Sequence, residues 1–221
     1  MRDGAVLDHA NAMVAARSRP RRARARGGSC RPPSTHAVII AMLAGPMRPA
    51  RSDRSDSGAT FSVCRTYRYR LWRSWDGGER RCVFVGLNPS TADESRDDPT
   101  IRKCIGFAHR WGFDAVEVVN LFAYAGEGST DPRSLLDASD PVGPENDAML
   151  AAAFAGACRI VWAWGRHDPR VRALVRERVA TIPCLGPRGR GVTGCLGRSQ
   201  DGSPRHPLRI AYATRFEPHR P

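Results

Sequence analysis

The stretch Arg81-Cys82-Val83-Phe84-Val85-Gly86, with the polar loop Asn88 to Asp97, the pair Asp98-Pro99 and the run Ala115 to Phe122 behind it, decides the fold. The apolar run at 82–85 reads as a strand buried on both faces, which is how strands look when a sheet is covered on two sides. Asp98 suits a helix N-cap and Pro99 a first helical residue. Ile101, Cys104, Ile105, Ala108 and Trp111 then recur at helical spacing, and Gly112 is placed to stop the helix. Ala115 to Phe122, nearly all apolar, is the next strand.

The same alternation continues downstream. Asp131-Pro132 opens a short helical turn through Leu136, and Pro144 starts a longer helix through Phe154. Arg159 to Trp164 is a strand, and Asp168-Pro169 caps a helix with Val171, Leu174 and Val175 at core spacing. Ile182 to Leu185 reads as a short strand. Cys195-Leu196-Gly197 partly echoes Cys184-Leu185-Gly186, so either marks a strand end. Arg209 to Tyr212 reads as a tail strand. Upstream, Tyr67, Tyr69 and Leu71 alternate with Arg68 and Arg70, which is strand periodicity. Trp75-Asp76-Gly77-Gly78 is a turn signal, so a β-hairpin feeding the 82–85 strand is the simplest reading. Strands alternating with helices predict an α/β domain of three layers, α/β/α, around a central, mainly parallel sheet. Ligands of such folds sit beyond the carboxyl ends of the strands.

The chain has 221 residues and a net charge of +13, unevenly spread. Residues 1–57 carry 11 Arg against 4 acids, and the stretch Ala15 to Pro33 is mostly Arg, Ala, Pro, Gly and Ser. Such a composition buries too little apolar surface to offset its ordering entropy. The expected organisation is a disordered basic N-terminal extension over 1–57 and one α/β domain over 58–221. A basic arm attracts polyanions through counterion release, while Arg almost without Lys is also what a GC-rich genome produces. No apolar run approaches the roughly 18 residues of a membrane span, so no membrane association is expected. Seven cysteines are present without a C-x-x-C pair, which argues against a zinc site. Cys82, Cys158 and Cys184 lie beside or within apolar runs and read as small core residues of a cytoplasmic protein. No cofactor or metal is called for, and a monomer is expected.

Two loops attract attention. Gly86-Leu87-Asn88-Pro89-Ser90 follows the most apolar strand. Gly86 lets the backbone approach a ligand, and Pro89 biases Asn88 to an extended conformation. An Asn held there could orient a water or a polar ligand edge, or could bond its own backbone in a turn. Arg205-His206-Pro207-Leu208 holds a histidine in a stiff loop. A neutral imidazole there could donate to a developing oxyanion or move a proton, and the alternative is a solvent-exposed loop histidine. Asp97 could bind a cation or activate water. Asp98 reads as the helix cap. Asn120 ends a strand, where it could reach a ligand or form a turn. Trp162 and Trp164 read as packing.

The strings Gly-Leu-Asn-Pro-Ser-Thr-Ala-Asp (86–93), Asp-Asp-Pro-Thr-Ile-Arg (97–102), Val-Val-Asn-Leu-Phe-Ala (118–123), Asp-Pro-Val-Gly-Pro-Glu-Asn-Asp (140–147) and Arg-His-Pro-Leu (205–208) resemble a widespread bacterial family known only as a domain of unknown function. More remotely, the order of segments is similar to the uracil-DNA glycosylase superfamily. That superfamily carries a Gly-x-x-Pro motif after a strand and a His-Pro-Ser motif near the C-terminus. The matching positions here are Gly86 to Pro89 and His206 to Leu208. The resemblance implies a uracil-DNA glycosylase-like fold with both motifs on one cleft, and hydrolysis of an N-glycosidic bond in nucleic acid or a nucleoside. Asn88 and His206 would be catalytic: Asn88 would position water and His206 would donate to the departing base. Gly86, Leu87, Pro89, Ser90, Asp97, Asn120, Arg205, Pro207 and Leu208 would contact substrate. Ser90 and Leu208 depart from the superfamily's usual Gly and Ser, and no aromatic stands in 90–100 where a base-stacking residue is expected. A basic rim from Arg188, Arg190, Arg198 and Arg205 would meet a phosphate backbone. A non-catalytic module binding a nucleotide or nucleic acid through the same cleft is the competing reading, and a protein-interaction domain a third.

Overall fold

The structure is a computed structural model that describes residues 56–75, 77, 79–182 and 192–221. The readings for residues 1–55, and those for Arg188 and Arg190, lie outside the described residues. Among the described residues seven strands form one sheet: β1 (Ser57–Phe61), β2 (Arg68–Ser74), β3 (Arg81–Gly86), β4 (Ala115–Asn120), β5 (Arg159–Trp162), β6 (Val192–Cys195) and β7 (Glu217–Pro218). Four α-helices are described: α1 (Pro99–Arg110), α2 (Ser134–Asp137), α3 (Asn146–Ala155) and α4 (Pro169–Thr181). A 3₁₀ turn covers Pro207–Arg209.

The strand order is β1-β2-β4-β3-β5-β6-β7. The expectation of a mainly parallel sheet does not hold. The β3–β4, β3–β5 and β5–β6 pairs are parallel, whereas β1–β2, β2–β4 and β6–β7 are antiparallel. The expected hairpin is corrected as well. β2 does not pair with β3, because β4 lies between them, and the hairpin partner of β2 is the preceding β1. Alternation within β2 predicts a strand but carries no information about its neighbour, since pairing is decided by side-chain fit across the sheet.

Strand β3 shows why the sheet is buried on both faces. Val83 and Val85 belong to a core cluster that includes Leu135 of α2, Leu150 and Phe154 of α3, and Val171 and Val175 of α4. Cys82 and Phe84 belong to a second cluster with Ile101, Cys104, Phe107 and Ala108 of α1. The period-2 alternation of side chains sends successive residues to opposite faces. Each fully buried aliphatic or aromatic side chain contributes about 1.5–3 kcal/mol by leaving water.

The helix starts follow the caps. Asp98 Oδ1 accepts from the Ile101 N–H at 2.8 Å, and Asp168 Oδ1 accepts from Arg170 and Val171. Gly112 ends α1 with φ of +71°, a conformation that glycine adopts without strain. The strand expected from Ile182 to Leu185 lies, beyond Ile182, outside the described residues, and the last parallel strand described is β6, ending at Cys195. Arg209 to Tyr212 is not a strand. The chain closes the sheet further on, where Glu217 pairs with Cys195. Cys158 is disulfide-bonded rather than a free core thiol. Among the described residues no helix is long and apolar enough to cross a membrane.

The order β4-β3-β5 places a topological switch point beside β3. The chain moves from β3 to one side for β4, then crosses to the other side for β5. Crevices at the carboxyl ends of strands form at such points.

Candidate functional site

A cleft of about 210 Å³ lies at that switch point, the volume of about seven liquid waters. Gly86 at the end of β3, Asn120 at the end of β4 and Ala163-Trp164 after β5 reach it from the sheet. The 87–90 loop, Ser129 and Thr130, His167, and His206-Pro207 close it from above. Arg68, Asp98, Thr100 and Ile101 line it from β2 and the start of α1.

Asn88 and His206 thus line one cleft, although 118 residues separate them in sequence. Asn88 Nδ2 donates to the Ser129 carbonyl, and at 3.4 Å to that of Pro89. With the amide nitrogen engaged, Oδ1 is left as the acceptor the side chain can offer. The His206 loop is docked on the ends of β5 and β6. The Gly165 N–H donates to Pro204 O at 2.9 Å, and the Arg205 N–H donates to Gly197 O at 3.0 Å. Gly165 and Gly197 both have positive φ, +83° and +85°, so each turns the chain in a conformation that an L side chain resists.

His206 Nδ1 accepts the backbone N–H of Leu208 at 3.3 Å. Only the neutral ring can accept there, which assigns its proton to Nε2. The ring retains a solvent-exposed side, yet the protein around it disfavours the charged form. Burial chiefly lowers its pKa below the ordinary 6.5, neighbouring His167 lowers it further, and Asp98 opposes both. The result at neutral pH is an uncharged N–H donor at the cleft. His167 holds the Trp164 carbonyl through Nε2 at 2.7 Å.

Three polar side chains at the cleft are buried and incompletely satisfied. Arg68 is 2% exposed, Asp98 7% and Asn120 3%. Among the described residues, Arg68 Nε, Asp98 Oδ2 and Asn120 Nδ2 have no hydrogen-bond partner. Buried polar groups are paired in the great majority of cases, and an unpaired one costs on the order of 1–3 kcal/mol. Arg68 spends Nη1 on the carbonyls of Ala92 at 2.6 Å and Ser90 at 3.3 Å. Burial lowers its pKa to about 10, with Asp98 opposing that shift. Asp98 spends only Oδ1 on the helix cap. Asn120 is held from two sides. A Cβ on Gly86 would lie 2.6 Å from Asn120 Oδ1, so only glycine leaves room for that amide as it stands. Asn146, fully buried, donates through Nδ2 to the carbonyls of Asn120 at 3.1 Å and Leu121 at 3.0 Å.

The cleft therefore gathers Gly86, Leu87, Asn88, Pro89, Ser90, Asn120, His206 and Pro207. It does not gather Asp97, Arg205 or Leu208. Asp97 accepts from Arg73 Nε at 2.9 Å, Arg205 is exposed, and Leu208 is 41% exposed on the 3₁₀ turn. Sequence reasoning missed Arg68, Ser129, Thr130, Trp164 and His167, and it read Asp98 as a cap alone. For Arg68 no local signal existed, because the alternation groups it with Arg70 on the face opposite Tyr69 and Leu71. Trp164 supplies the cleft with an aromatic side chain from β5's end, where the 90–100 loop has none. Among the described residues no three His, Cys, Asp or Glu side chains cluster as metal ligands.

The molecule is thus an α/β protein with a mixed sheet and a cleft, lined by both apolar and polar side chains, at the carboxyl ends of its parallel strands. The family model described as "Protein of unknown function (DUF1643)" matches residues 68–208, and the chain belongs to that family. Those limits run from Arg68 on the cleft floor to Leu208 just past His206, so the matched segment carries the whole cleft. No curated protein and no solved structure matches the chain.

Proposed function

We propose that the cleft hydrolyses an N-glycosidic bond of a nucleobase carried in nucleic acid or a nucleoside, with Asn88 and His206 as the catalytic pair. The observation that carries this reading is their complementary hydrogen-bond state on one cleft: Asn88 keeps an acceptor and His206 an uncharged N–H donor. In this mechanism a water donates to Asn88 Oδ1 and is aligned on the anomeric carbon. The C–N bond breaks and its electron pair leaves with the base. The water oxygen bonds to the sugar carbon and releases a proton to solvent. His206 Nε2–H donates to the base oxygen on which negative charge accumulates, and such a preorganised donor contributes about 3 kcal/mol to lowering the barrier.

Gly86, Leu87, Pro89, Ser90, Asn120 and Pro207 form the walls for the base in this reading, with Asp97, Arg205 and Leu208 outside the cleft. In this reading Leu208, exposed on its turn, would press against a duplex, and exposed Arg198 and Arg205 would meet phosphates. A base in a duplex would have to be flipped out first. Two core clusters on opposite faces of β3, with helices in each, support extending the reading to a three-layer, uracil-DNA glycosylase-like arrangement. The reading is of a protein that works as a cytoplasmic monomer without cofactor or metal.

The test incubates the full chain with single- and double-stranded oligonucleotides containing uracil, hypoxanthine or other modified bases, and reveals abasic sites with alkali. Strand breaks that vanish in Asn88→Ala and in His206→Ala are the expected result. Salt-sensitive gel shifts without breaks would replace hydrolysis by a binding module. Neither breaks nor shifts would remove nucleic acid as the substrate.

A further inference from the structure

We propose that Arg68 and Asp98 are the specificity-determining pair of the cleft, reading one polar edge of a neutral single-ring heterocycle. The proposal rests on the reading of the cleft as a nucleobase site and deepens it. Seven buried side-chain polar atoms lack partners among the described residues, and three of them, Arg68 Nε, Asp98 Oδ2 and Asn120 Nδ2, belong to residues lining this one cleft. Stray packing defects would be scattered through the core. Unpaired groups gathered around a cavity fit a ligand that completes them.

The chemistry of the set constrains that ligand. Arg68 Nε and Asn120 Nδ2 can only donate, and Asp98 Oδ2, in an ionised carboxylate, can only accept. The complementary edge has two acceptors and one donor, as a pyrimidine base does. The charges of Arg68 and Asp98 balance, so the floor has no surplus cation for a phosphate or carboxylate. The two side chains do not consume each other, since Asp98 forms no ion pair within 4 Å among the described residues while still acting on Arg68 electrostatically. The cavity of about 210 Å³ has room for one base.

The parts of each residue already in use explain why the remainder is fixed in place. Asp98 is pinned by its cap bond to Ile101 and Arg68 by the loop carbonyls of Ser90 and Ala92. These bonds tie the floor to the loop that carries Asn88, so a base seated on the floor would bring its glycosidic bond to a fixed place relative to Asn88.

Asp98→Asn tests this, because Asn caps helices as well as Asp does and replaces the accepting Oδ2 with a donor or removes its charge. Binding of uridine, cytidine, N3-methyluridine, inosine and adenosine to the full-length protein and to the variant would be followed by ligand-observed NMR, with thermal melts as a check on folding. At least one unmodified pyrimidine nucleoside should bind the parent at least tenfold more tightly than the purines. Asp98→Asn should weaken that nucleoside tenfold or more while leaving a weak N3-methyluridine affinity within about twofold. Arg68→Lys, which loses Nε, should weaken the same nucleoside. Equal loss for every ligand, no loss, equal purine affinity, or no binding by the parent would each overturn the proposal. Because only binding is read, the outcome is separable from hydrolysis. Selective loss in Asp98→Asn without abasic sites leaves this pair standing and removes the hydrolase, and abasic sites without selective loss do the reverse.

Discussion

Gly165 and His206 are in close contact across the mouth of the cleft. A Cβ on Gly165 would lie 3.0 Å from His206 Cβ, and the Gly165 backbone N–H holds the Pro204 carbonyl two residues before the histidine. The end of β5 therefore carries the C-terminal loop, and the catalytic candidate His206 is positioned by a glycine 41 residues earlier.

Gly165→Ala should both strain the backbone and crowd His206. Gly165 has φ of +83°, and a non-glycine residue held in such a region costs of order 1–3 kcal/mol. A melting temperature several degrees lower is expected by calorimetry, together with a shifted His206 ring signal in NMR. An unshifted ring signal would mean that the loop is positioned by other contacts.

Gly86→Ala should act mainly on the ligand rather than on the backbone. Its φ is not in the positive region, so the added methyl meets only Asn120 Oδ1. Overpacking of this kind costs typically about 1–3 kcal/mol, and here a small side-chain rotation of Asn120 should relieve most of it. The expected outcome is a modest loss of stability with a larger loss of nucleoside affinity. Affinity equal to that of the parent protein would show that Asn120 does not contact the ligand.

His206 should set an acid limb in the pH profile of activity. Its folded-state pKa is lowered below the ordinary 6.5 by burial and by His167, so the native state resists protonation more than the unfolded chain does. The unfolded state therefore binds more protons as pH falls below about 6.5, and stability decreases there until the lower native pKa is passed. Above 6.5 the group has no effect on the pH dependence. Protonation would also break the Leu208 N–H to Nδ1 bond. Activity should fall with a midpoint below 6.5, and the limb should be absent in His206→Gln. A midpoint above 6.5 would contradict the neutral-donor assignment.

Glu117→Ala should be among the more damaging substitutions distant from the cleft. Glu117 is fully buried on β4 and pairs with Arg70 of β2 and with Arg81 of β3, the latter at 2.9 Å. It links the antiparallel edge of the sheet to its parallel centre. Because both arginines keep some access to water, the loss should be about 2–3 kcal/mol, below the 3–5 of a fully buried pair. Chemical denaturation at low and high salt would measure it, and an unchanged midpoint would show that the pair is energetically neutral.

The elements that were legible in the sequence are those with local causes. Asp98-Pro99 and Asp168-Pro169 start their helices because a cap needs only the next three residues. The apolar run 82–85 is buried on both faces because its own side chains demand it. Asn146 shows the limit. It opens α3, and its amide reaches back to the carbonyls of Asn120 and Leu121. No local pattern encodes a bond across 26 residues.

By itself the sequence determined that strands and helices alternate, where the helices begin, and that two stiff loops carry an Asn and a His after apolar segments. Only the tertiary structure decided which strands are neighbours, because pairing depends on how whole faces fit and not on any strand's own pattern. That choice places β2 antiparallel beside β4, so that Arg68 at its start arrives at the carboxyl end of β4 and lines one cleft with Asn120 and Asp98. Arg68 and Asp98 owe their unspent hydrogen-bonding atoms to that meeting. Burial and electrostatics act between groups close in space, whatever their separation along the chain.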